Sequence, residues 1–175
     1  MAEIIKIDEL RKKKEKANKQ GAKSPYPINS FGIMKVTLSD WLAGNLKEKP
    51  HRVLSIPMKQ TLSMFAKEIL DSFDFELDHQ YGYFDNIDNW VKSTEIYIME
   101  EDPSFPAAGF VTQVRVGEVF TTPNKKMMFL FDYGDEWRFI IELIRIENPS
   151  GKVKLAAKVL EKEGDPPPQY PDIEA

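Results

Sequence analysis

The feature that most constrains this chain is the run Phe129-Leu130-Phe131-Asp132-Tyr133-Gly134-Asp135-Glu136-Trp137-Arg138-Phe139-Ile140-Ile141-Glu142-Leu143. Two apolar, aromatic-rich stretches flank a short polar turn, the pattern of a β-hairpin. Gly134 can adopt the positive φ of a tight reversal, which places the turn at Gly134-Asp135. Side chains alternate along a strand, so Phe129, Phe131 and Tyr133 share one face. On the return strand Trp137, Phe139, Ile141 and Leu143 share a face, with Trp137 nearest the turn and placed to line a cleft. A chain that commits so much aromatic surface to one hairpin has to cover it.

The cover is found upstream. Leu62, Phe65, Ile69 and Phe73 recur at helical spacing, with Thr61 as N-cap, and predict a helix from Thr61 to about Phe75. Met64 and Leu70 widen the stripe. Strands are expected at Phe31–Leu38, His51–Pro57, Tyr81–Asp85, Thr94–Met99, Val111–Val116, the two hairpin arms, and Val153–Leu160. Asp40–Leu46 reads as a short helical excursion. The fold class is α+β: an antiparallel-rich mixed sheet with one main helix on one face.

Three segments are expected. Residues 1–28 form a basic tail and linker, 29–163 a single domain, and 164–175 a Pro-rich tail lying extended against the domain. The 175-residue chain carries a net charge of −4. Residues 1–23 hold eight Lys/Arg and four Asp/Glu, so the remainder is acidic. Only that tail, through Arg11, Lys12, Lys13, Lys14 and Lys16, could grip nucleic-acid phosphates. No apolar run is long enough for a membrane span, and no signal peptide is evident, which predicts a cytoplasmic protein without membrane partners. The absence of cysteine removes disulfides, thiolate metal sites and thiol nucleophiles.

The chemistry on offer sits at the hairpin turn. Asp132, Asp135 and Glu136 could bind a cation or act as acid and base, but acids at turns also bond their own backbone. His79, in Glu76-Leu77-Asp78-His79-Gln80-Tyr81, has Asp78 and Asp85 near in sequence. The candidate contact residues are therefore His79, Asp132, Tyr133, Asp135, Glu136 and Trp137. Phosphate-binding glycine loops, a nucleophile elbow and the zinc-protease helix motif are all missing. No cofactor or metal is expected.

Three segments, in this order, resemble the plasmid pRiA4b ORF-3-like family. They are Arg52-Val53-Leu54-Ser55-Ile56-Pro57 with the Thr61-Leu62 helix start, His79-Gln80-Tyr81-Gly82-Tyr83-Phe84, and above all Phe131-Asp132-Tyr133-Gly134-Asp135-Glu136-Trp137. The chain has Ala66 and Phe139 where the family often carries histidine, and lacks its C-terminal cysteines. The resemblance implies a β-grasp-like α+β arrangement and an occurrence with mobile elements, and no particular reaction. Three functions follow as expectations. The first is a non-catalytic interaction module using the acidic-aromatic turn. The second is a nucleic-acid accessory protein using the basic tail. The third is an acid/base or metal-dependent enzyme using His79, Asp85, Asp132, Asp135 and Glu136.

Overall fold

A computed structural model of the protein describes residues 24–42, 44 and 46–171. The Arg11–Lys16 basic run lies outside the described residues. Eight strands form one sheet: β1 (Phe31–Asp40), β2 (His51–Pro57), β3 (Tyr81–Phe84), β4 (Ile96–Ile98), β5 (Gly109–Phe110), β6 (Lys126–Phe131), β7 (Trp137–Glu147) and β8 (Lys158–Glu163). Their order across the sheet is β5-β4-β3-β6-β7-β1-β2-β8. Every pairing is antiparallel except β4 with β5. Among the described residues two α-helices accompany them, α1 (Leu62–Ser72) and the four-residue α2 (Val116–Val119).

The antiparallel-rich α+β expectation holds. The strand order does not by itself establish a β-grasp, and its centre is the antiparallel pair β6–β7. Three local expectations change. Residues 41–50 contain no described helix, because β1 runs on to Asp40 and the following loop turns back to β2. The apolar stretch Val111–Val116 is largely turn leading into α2, after a two-residue β5. The last strand lies at 158–163 rather than 153–160. It is exposed on both faces and has no apolar alternation to mark it.

Strand alternation sorts the sheet into two cores. On one face Met127, Phe129 and Phe131 of β6 meet Trp137, Phe139 and Ile141 of β7, with Phe131 opposite Trp137 and Phe129 opposite Phe139. Helix α1 packs Leu62, Phe65, Ala66, Ile69 and Leu70 onto this layer. Burial of each large apolar side chain contributes roughly 1.5–3 kcal/mol, which is what holds a helix this short in place. The Thr61 hydroxyl accepts from the Met64 N–H at 3.3 Å, as an N-cap should. Met64, placed in the stripe by its spacing, is half-exposed.

The opposite face carries a second apolar cluster at the β3–β4–β6 end. There Phe84, Ile96, Ile98, Met128 and Leu130 lie beneath Ile87, Trp90 and Phe105 of the 85–107 connection. Asp85 shapes that connection by accepting from the Thr94 and Glu95 N–H groups at 2.8 and 3.1 Å and from the Thr94 hydroxyl at 3.0 Å.

Candidate functional site

The hairpin turn and the approach to β3 meet at one end of the sheet. Strands β3 and β6 pair Tyr81 with Phe131, and the ladder continues one residue further, where the Asp132 N–H donates to the Gln80 carbonyl at 2.8 Å. That register brings His79 beside Asp132.

The turn spans 132–136 rather than 134–135. Asp132 and Glu136 take the left-handed conformation, with φ of 62° and 50°, and Gly134 does not. The Glu136 N–H donates to the Asp132 carbonyl at 2.6 Å. The Asp132 carboxylate closes the turn through Oδ1, which accepts from the N–H groups of Gly134 at 2.9 Å and Asp135 at 3.3 Å. Aspartate tolerates this backbone because its short side chain bonds locally.

Oδ2 of the same carboxylate lies 3.7 Å from His79 Nε2. The other ring nitrogen, Nδ1, is 2.7 Å from Asp78 Oδ1. The C-terminal segment then closes over Asp78. The Tyr170 hydroxyl donates to Asp78 Oδ2 and lies 3.3 Å from His79 Nδ1. Gln169 accepts from the Glu76 N–H at 2.7 Å and donates to the Glu76 carbonyl and Asp78 Oδ1, both at 3.0 Å. The Pro-rich segment is thus docked on the loop after α1, in keeping with an extended tail lying on the surface.

Electrostatics follow from these contacts. The hydrogen bond to Asp78, aided by the charges of Asp132 and Asp135, raises the His79 pKa above its usual 6.5 despite some desolvation. The Tyr170 hydroxyl, then His79, holds the Asp78 carboxyl below its usual 3.8. The Tyr170 phenol, bonded to Asp78, is pushed up to about 12. The surrounding carboxylates favour the protonated ring.

The sequence-derived candidates divide. His79, Asp132 and Asp135 gather here. Tyr133 does not share a face with Phe129 and Phe131, because the left-handed Asp132 ends the alternation. It packs instead near Trp90 and Phe105, at ring-centroid distances of 6.0 and 6.4 Å. The Glu136 carboxylate accepts from Trp90 Nε1 at 2.8 Å and Arg138 Nη2 at 3.2 Å. Trp137 lines no cleft. It is wholly buried, stacked on Trp41 and edge-on to Phe75. Asp85 is engaged in its own loop, so the five-residue acid/base set is not a single constellation. Tyr170 and Gln169 were not singled out in the sequence. Their only signal was an aromatic and an amide set among prolines.

A family model described as plasmid pRiA4b ORF-3-like protein matches residues 33–172. The chain belongs to this family. The matched span includes the hairpin turn, His79 and Tyr170. Ala66 and Phe139 are both buried in the α1-covered core, so this chain fills those positions by packing. No curated protein matches. Among solved structures, the fold is similar to the crystal structure of a protein of unknown function, MM3350, from Methanosarcina mazei Go1. That protein is 18% identical over 75% of this chain and 70% of its own, with a TM-score of 0.59. At that identity the likeness is one of fold.

Proposed function

We propose that this pRiA4b ORF-3-like protein is a non-catalytic interaction module whose contact surface is the rim formed by His79, Asp132 and Asp135 beside Asp78 and Tyr170. The observation that carries the reading is a charge arrangement. Three aspartates surround one imidazole, and among the described residues none of them forms an ion pair with lysine or arginine. Such a rim suits a partner segment that presents basic side chains, and complementary charge speeds association and fixes register. The cytoplasm is the expected compartment for that encounter.

The test is charge reversal with a stability control. Asp135→Lys should leave the melting temperature within a degree or two and abolish low-salt retention of a basic peptide array that the unaltered protein binds. Equal retention by both proteins would refute the assignment.

A second reading rests on the Arg11–Lys16 run together with the acidic balance of the rest of the chain. In it the protein is a nucleic-acid accessory factor of a mobile element. Removal of residues 1–24 should then abolish salt-sensitive DNA or RNA binding. Binding that survives the truncation would eliminate this reading.

A further inference from the structure

The far edge of the sheet carries a second constellation. Strands β2 and β8 pair His51 with Glu163 and Val53 with Glu161. Directly opposed residues in an antiparallel pair share a face, as do residues two apart on one strand. His51, Glu161 and Glu163 therefore project together. His51 Nε2 lies 3.2 Å from Glu161 Oε1 and 3.8 Å from Glu163 Oε2, and the three donor atoms all fall within 4.8 Å of one another. Among the described residues neither glutamate has a lysine or arginine partner.

The backbone beneath this set is held from the other side. Arg52, only 3% exposed, donates to the carbonyls of His51 at 2.9 Å, Glu163 at 3.2 Å and Gly164 at 3.0 Å, and through Nε to Ser72 at 2.7 Å. One buried guanidinium thus fixes the main chain of two of the three donors, so on binding only the side chains have to be ordered.

We propose that His51, Glu161 and Glu163 form a binding site for a divalent transition-metal ion, Zn²⁺ foremost. One imidazole nitrogen with two carboxylates suits zinc and its neighbours, whereas Mg²⁺ and Ca²⁺ favour all-oxygen shells. Two uncompensated carboxylates supply the opposing charge. The glutamates are exposed, so water completes the coordination and the ion exchanges with solvent. Bound metal would cross-link β8 to β2 where the strand otherwise carries only exposed side chains.

The experiment is calorimetric titration of the full chain with ZnCl₂ in chelator-free buffer, paired with thermal unfolding. One saturable Zn²⁺ per chain is expected, with a rise in Tm that equal Mg²⁺ does not produce. His51→Ala and Glu161→Gln should each weaken binding by about tenfold or more, the scale on which even outer-shell partners act. His79→Ala should leave it unchanged. Glu161 is half-exposed, so its variant should fold normally, with an unchanged circular dichroism spectrum. Absence of saturable binding, binding that survives both His51→Ala and Glu161→Gln, or loss of binding in His79→Ala would each overturn the proposal.

Discussion

The indoles of Trp41 and Trp137 lie 4.5 Å apart and 6° from parallel. Trp137 is wholly buried in β7, and Trp41, just beyond the end of β1, forms its lid. Gly44 permits this arrangement: a Cβ there would fall 1.3 Å from Trp41 Nε1. Aromatic pairs contribute about 0.5–1.5 kcal/mol beyond the area they bury. Trp41→Ala is therefore expected to cost about 1–3 kcal/mol and to shift Trp137 emission to longer wavelength as water reaches it. Gly44→Ala should produce the same emission change by displacing the lid. Unfolding monitored by fluorescence checks both, and an unchanged spectrum in both variants would mean that the lid does not seal Trp137.

The hairpin turn depends on Asp132 more than on Gly134. Asp132 has φ of 62° and supplies the carboxylate that caps two N–H groups. Asp132→Ala loses these bonds and places alanine in a left-handed backbone, and is expected to cost about 1–3 kcal/mol. Asp132→Asn keeps an acceptor and tolerates the backbone, so it should recover most of that loss. A Cβ on Gly134 would approach Asp132 Oδ1 to 3.3 Å, a tight contact without backbone strain, so Gly134→Ala should cost less than Asp132→Ala. Denaturant midpoints of the three variants give the ranking, and a Gly134→Ala loss larger than that of Asp132→Ala would contradict it.

Arg52 joins three segments distant in sequence. Its guanidinium reaches four carbonyls and lies 4.6 Å from the centroid of the Phe73 ring. Burial lowers its pKa, partly offset by Asp74 and Asp165. Arg52→Met is expected to cost about 3 kcal/mol or more, because buried carbonyls lose charge-assisted donors. Lysine cannot reproduce the planar fork, so Arg52→Lys should rescue little. Hydrogen exchange locates the effect: β8 amides should lose protection before those of β6 and β7. Uniform loss across the sheet would argue against a local clamp.

The legible part of this structure was the part governed by periodicity. The Leu62–Phe73 stripe, the Phe129–Phe139 facing pair and the strand containing Tyr81 all follow from burial on one face, which leaves a repeating trace. The hairpin was legible, but its turn is wider than the expected 134–135, and its left-handed residues are aspartate and glutamate where composition alone favoured glycine. Strand β8 was misplaced by several residues because neither of its faces is buried and no alternation marks its ends. The site was half visible. The Asp132–Glu136 cluster and His79 stand out in sequence, but the side chain that completes it, Tyr170, is 92 residues from its partner Asp78. That contact depends on where the last strand ends, which the apolar pattern does not mark.

His79 gives a pH dependence with a definite sign. Its folded pKa lies above 6.5, so its interaction with Asp78 and Asp132 stabilises the fold fully below about pH 6.5 and is lost as pH rises through the folded value. Asp78 acts oppositely: its folded pKa lies below 3.8, so its contribution is present above about pH 4 and disappears as pH falls through the folded value. Docking of residues 169–171 should therefore be firmest between these two windows. Tyr170→Phe removes the hydroxyl that chiefly lowers the Asp78 pKa, and Asp78→Asn removes the main support for the imidazolium. A proton NMR titration of the two histidines assigns the effect. The His79 pKa should fall toward 6.5 in Asp78→Asn, and the Asp78 pKa should rise in Tyr170→Phe. Both groups are substantially exposed, so 1 M salt should diminish the purely electrostatic part, from Asp132 and Asp135, more than the direct hydrogen bond. A His79 pKa that is unmoved by Asp78→Asn would mean that the ring is held by Asp132 alone, and that the docked tail has no part in setting its charge.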